Sequence, residues 1–113
     1  QFRIGSVLFA HGDSVPDEVL LKGVKTLVIG HEHPALALRE GGRLEHFKCW
    51  LIGRFGKRRL VVMPSFNPVT EGTDILSERL LSPLLQGGIG DFSVYVVDDS
   101  GEILPFGTVK GLR

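Results

Sequence analysis

A chain of 113 residues, 42% hydrophobic and 23% charged, has enough material for a single domain with one modest core. Its 13 basic and 13 acidic groups cancel, so no overall field draws it to nucleic acid or to a membrane, although local patches can still act. One cysteine, Cys49, excludes an internal disulfide and a four-cysteine zinc site, which suits a reducing compartment and a cytoplasmic location.

The start, QFRIGSVLFAHG, makes a poor secretory signal, and no apolar run nears the roughly 20 residues that span a bilayer. It opens on Gln rather than Met, so a cut, processed or excerpted chain is expected. SVLFA, from Ser6 to Ala10, reads as a buried strand that stops at His-Gly. DSVPDEVLLKG follows as a helix of about two turns, with Ser14 as cap, Pro16 in the first turn and Gly23 as stop. KTLVIG, from Lys25 to Gly30, is a second buried strand, and strand–helix–strand implies a parallel βαβ unit.

Downstream the pattern changes to antiparallel. ALALRE, the turn Gly41-Gly42 and RLEHFKCWLIG read as a hairpin. GRFGKRR is a second turn, LVVMP another strand, and SFNPVTEGTD a loop. DILSERLLSPLL carries a short helical pattern broken near Pro83, and two last strands flank the turn Asp98–Gly101. The expected fold is a single α/β domain over residues 1–113, with an α+β tendency and a mixed sheet.

His11 and His31 each directly follow an apolar strand, where parallel sheets gather ligands. His31 and His33 are two apart, and Pro34 favours an extended His33, so both rings are expected on one side. Three imidazoles on one rim suffice to hold a divalent ion. The competing reading is surface histidines on loops. His46 lies within an alternating strand and reads as a sheet residue. Asp13 and Glu32 flank the histidines as partners that orient imidazoles, or as plain exposed acids. A cupin spacing fails because the next glutamate is Glu40, and the HxHxDH pattern fails at Ala35. Arg54, Lys57, Arg58 and Arg59 form a basic turn, read either as a phosphate-backbone contact or as a solvated tip.

LFAHGD followed by VKTLVIGHEHPAL resembles the last two metal motifs of the calcineurin-like metallophosphoesterases. VVMPSFNPVTEGTDIL and VYVVDDSGEILPFG resemble its ICC-like branch, related to the DNA-ligase-associated phosphoesterases. The resemblance implies a two-metal hydrolase of phosphodiesters or phosphomonoesters, with Mn, Fe, Zn or Mg as the ions. By that resemblance His11 and His31 bind one metal and His33 its neighbour, and Gly30 lets the backbone pass close to the ions. Read apart from the resemblance, Asn67 and Asp74 hydrogen-bond either a ligand or their own loop backbone, and Asn67 and Arg54 are the candidate contacts of a phosphate-ester substrate, such as a nucleotide or nucleic acid. The family's DxH, GDxxD and GNH motifs are missing, and Asn67 is the only asparagine. The chain therefore reads as the C-terminal half of the family's α/β/β/α sandwich, inactive alone and paired with an N-terminal half or with itself. The alternative is a non-catalytic binding or assembly module with incidental histidines.

Overall fold

The computed structural model describes residues 1–67, 69, 72–76 and 79–113. Its strands are β1 (Phe2–Ile4), β2 (Val7–Ala10), β3 (Thr26–Ile29), β4 (Pro34–Glu40), β5 (Arg43–Phe55), β6 (Arg58–Val62), β7 (Thr73–Asp74), β8 (Ser93–Val97) and β9 (Ile103–Thr108). Two one-turn helices, α1 (Glu18–Leu21) and α2 (Val109–Leu112), and a 3₁₀ turn at Pro83–Leu85 complete the described elements. This is a mixed sheet with few short helices, the α+β side of the expectation.

The order along the sheet is β1-β2-β3-β6-β5-β4-β7, with β8 joined to β5 and β9 to β8. β2, β3 and β6 run parallel, so the βαβ reading of the first segment holds. β4–β5, β5–β6 and β8–β9 are antiparallel pairs, as the alternating sequence and its turns required. β5 is long enough to pair with β4 through its first half and with β6 and β8 through its second. β1, an edge strand outside the sequence reading, pairs with β2 and stacks Phe2 on Phe9 with ring centroids 4.7 Å apart.

Successive strand residues face opposite sides of a sheet. Leu8, Leu27 and Leu60, and the row Ile29, Val62, Leu51 and Val94, stand in register on one side and are buried. Leu21, Val24, Ile75, Leu84, Leu85, Ile89, Phe92 and Val109 pack in the same core. On the opposite face Phe9, Val28, Val61 and Ile52 also stand in register, yet all four are only half-buried.

Two expected helices are shorter than their patterns suggested. α1 has one turn instead of two, with Val19 86% exposed and only Leu21 buried. Residues 15–17 stay outside the helix, and at and beyond its C-terminal end Arg58 donates to the carbonyls of Leu21 (2.9 Å) and Val24 (3.0 Å), and Arg3 to that of Lys22 (2.7 Å). The second pattern, from Asp74 to Leu85, gives β7 residue Asp74 and the 3₁₀ turn. There the amides of Leu81 and Ser82 bind a distant carboxylate rather than carbonyls of their own turn. Ser77 and Glu78 of that pattern, and Pro68, Thr70 and Glu71 of the expected loop, lie outside the described residues.

Candidate metal centre

The parallel register places Ala10 beside Ile29, so the chain leaves β2 and β3 side by side, and the next residues are His11 and Gly30-His31. Gly30 donates its amide to the His11 carbonyl (3.0 Å), which extends the pairing by one step. His31 Nδ1 then lies 3.1 Å from His11 Nε2, with ring centroids 4.8 Å apart and planes at 63°. With one ring protonated at the shared position and the other not, this is a hydrogen bond. The same spacing suits another role. Two nitrogens each 2.0–2.1 Å from one ion, at angles of roughly 90–109°, lie about 2.9–3.4 Å apart. The pair therefore fits two adjacent positions around one divalent cation.

The local backbone is strained where the imidazoles emerge. Glu32 donates its amide to the Gly30 carbonyl (2.6 Å) across His31, whose φ is +61°. A γ-turn bond closed over a positive φ is the rare form, disfavoured for a residue with a Cβ. His33 also has positive φ, +51°. This corrects the extended geometry expected from Pro34, because residues 30–33 form tight turns and the two-apart rule does not apply to them. His33 is half-buried, and its carbonyl accepts the Thr73 amide (2.9 Å). Its ring does not join the other two: among the described residues no three His, Cys, Asp or Glu side chains gather as a metal would require.

What holds the strained loop is Glu32. It is 1% exposed, neither a surface acid nor bonded to an imidazole, which corrects both expectations for it. One oxygen, Oε1, accepts from the amides of Leu81 (2.8 Å) and Ser82 (2.8 Å), and Oε2 accepts from Leu81 as well (3.1 Å). The Ser82 hydroxyl donates to the Gly12 carbonyl (2.5 Å). Residues 81–82 thus tie the His11-Gly12 loop to the Gly30–His33 loop from below. Ser82 was invisible in the sequence reading, since its partner Gly12 is 70 residues away and no motif marks it.

Gly12, not Gly30, is the glycine this corner needs. Its φ is +103°, and a Cβ there would sit 3.0 Å from the Ile29 Cβ. At Gly30 a Cβ would meet only the His11 carbonyl oxygen at 3.9 Å, an ordinary contact. Asp13 is exposed and bonds neither imidazole. His46 is exposed on β5, as its alternating context implied.

Asn67 lies in the loop beyond Val62, the carboxyl end of β6, and is exposed. Its Oδ1 accepts the Val69 amide (3.0 Å), and its carbonyl and that of Ser65 both receive the Lys48 ammonium. Asn67 therefore shapes its loop. Arg54 is far from the site. It pairs with Arg59, which aligns with Thr26, whereas the histidines follow Ile29, aligned with Val62. Three strand residues separate the two levels, about 10 Å at ~3.3 Å each. This corrects the placement of Arg54 beside a substrate at the histidines.

Cys49 is no nucleophile for this site. Burial, reinforced by the negative charge of Asp74, pushes its thiol up to about 12. Compared with known proteins, the chain matches no family model, no curated protein and no solved structure.

Proposed function

We propose that this chain contributes the histidine ligands of a metal-dependent phosphoesterase and forms the C-terminal half of its sandwich. The observation that carries the reading is the 3.1 Å approach of His31 Nδ1 to His11 Nε2 at the carboxyl ends of adjacent parallel strands. Neighbouring imidazoles at that spacing suit a shared divalent ion. His11 and His31 would hold it, and His33 stands two residues on, outside the pair. A bound divalent cation supplies Lewis acidity to a phosphoryl oxygen and makes water more acidic. The chain's own part is to present two imidazoles at fixed spacing, with Glu32 and Ser82 keeping both loops in place.

The half-buried face supports the sandwich part of the reading. Phe9, Val28, Val61 and Ile52 form an apolar band that a second layer would cover. Met63 and Phe9 line a shallow depression that reaches His11, so a layer placed there would also border the imidazoles.

The non-catalytic reading draws on one fact, that no third donor side chain joins the pair among the described residues. Titration with Co²⁺ and Zn²⁺ separates the two. The phosphoesterase reading expects saturable binding of one ion, lost in His11→Ala and His31→Ala and kept in His46→Ala. Absence of binding by the wild-type chain leaves the assembly reading in possession. The chain alone is expected to be inactive on bis-(p-nitrophenyl) phosphate with Mn²⁺, because among the described residues no third donor side chain joins the pair and the family's GNH motif is missing from the sequence. Turnover by the purified chain that His31→Ala abolishes would overturn the half-site account.

A further inference from the structure

The far end of the sheet carries a second feature, independent of the histidines. Arg54 and Arg59 are direct cross-strand partners on β5 and β6, so two guanidinium-bearing residues share one face of one pair. Like charges placed so are destabilising unless something compensates them. Among the described residues nothing does. Arg54 donates only to the Lys57 carbonyl (3.2 Å), and the side chains of Arg59, Lys25 and Lys57 have no partner. Arg58 is fixed beside them by its bonds to the Leu21 and Val24 carbonyls.

Two open grooves meet at these cations. One, of about 610 Å³, runs from Arg54 and Arg59 to the glycines Gly87, Gly88 and Gly90. The other, of about 500 Å³, is lined by Lys25, Thr26, Lys57 and Arg58 and shares Arg54 and Arg59 with the first. Asp91 is the single carboxylate lining either groove, and it pairs with none of the cations. Each groove exceeds a single phosphate, and Arg54 and Arg59 line both. Apart from the edge of buried Phe92, no aromatic ring lines them, so nothing is offered for bases to stack on.

We infer that this basic groove binds the phosphodiester backbone of a nucleic acid, without reading its sequence, at a site separate from the histidine pair. Arg59, with no partner among the described residues, and Arg54, held only by the Lys57 carbonyl, present forked donors to phosphates, and the lysines add point charges. An overall charge of zero leaves the patch as the local source of attraction.

The test is fluorescence anisotropy with a labelled 20-nucleotide single strand and its duplex, in EDTA, from 50 to 300 mM NaCl. Micromolar binding is expected, with log K falling against log salt at a slope of about −2 to −3 for three to four single-strand phosphates. R54Q/R59Q is expected to weaken binding at least tenfold at 50 mM salt and to reduce the slope by about 1.4. Its melting temperature is expected to hold or rise as the like-charge pair disappears. K25Q/K57Q, which breaks no side-chain bond, is expected to weaken binding in the same direction. Stronger binding of the strand or of the duplex assigns the preferred form. No binding at 50 mM NaCl, or binding unchanged in both double variants, overturns the proposal. So does equal binding of poly-glutamate, or complete displacement by inorganic phosphate at constant ionic strength.

Discussion

Replacing Glu32 tests whether a buried carboxylate really holds the histidine corner. Glu32→Ala strips the acceptor from two backbone amides, the buried one of Ser82 and the part-buried one of Leu81. Hydrogen bonds to charged groups contribute about 1.5–3 kcal/mol each, and water can reach the part-buried Leu81 amide, so losing both is expected to cost about 3–5 kcal/mol rather than the full sum of about 6. At this size that corresponds to a melting temperature lower by roughly 12–20 °C. Glu32→Gln is expected to be milder. Oε1 already serves both amides at 2.8 Å, and an amide oxygen can keep that position. What is lost is the charge and the longer Oε2 contact, about 1–2 kcal/mol. Urea unfolding followed by circular dichroism measures both. Spectra of the imidazole protons should show His11 and His31 shifted in Glu32→Ala and near wild type in Glu32→Gln. Equal costs for the two variants, or a cost under about 1 kcal/mol for alanine, would refute the clamp.

Gly12→Ala is expected to destabilise by about 1–3 kcal/mol, because a side chain meets both the positive φ and Ile29, while Gly30→Ala should stay within about 1 kcal/mol; thermal melts compare them. Cys49 should resist thiol reagents at pH 8 in the native state and react once urea unfolds the chain. Its thiol sits at about 12 when folded against 9.0 unfolded, so the folded state holds the proton that the unfolded state releases. The associated stability is therefore complete below pH 9 and falls between about 9 and 12, at up to about 1.4 kcal/mol per pH unit. Urea unfolding from pH 8 to 10.5 should show that loss in wild type relative to Cys49→Ala, and parallel curves would contradict it. The purified chain should gain mass with concentration in sedimentation through its half-buried face, and Ile52→Glu should shift it toward monomer.

Much of the sheet was legible because its signals are local. Apolar runs ending at His-Gly and Gly-His gave β2 and β3, and turn residues gave the hairpins. The meeting of His11 and His31 followed from the parallel register alone. The lost features depend on contacts far apart in the chain. α1 begins only at Glu18, and Arg3 and Arg58 bond the carbonyls at and after its end, contacts that no periodicity reports. Glu32 reads from sequence as an imidazole partner or an exposed acid, because the amides that it binds lie about fifty residues away. His31 and His33 at positive φ contradict local preference, which is the kind of departure that tertiary anchoring permits.

The long β5 bears on the order in which this chain folds. Its two neighbours in sequence, β4 and β6, pair with it through tight turns, so the β4-β5-β6 meander closes short loops at small entropic cost. β3 must instead reach across that whole meander to lie parallel to β6, and β2 must then dock on β3. The imidazoles are therefore expected to meet after the central meander has formed, when the last parallel strands close. Pulse-labelled hydrogen exchange should protect the amides of Ile52 and Leu60 before those of Phe9 and Val28. A chain stalled at the meander would hold the strand surface with no histidine pair.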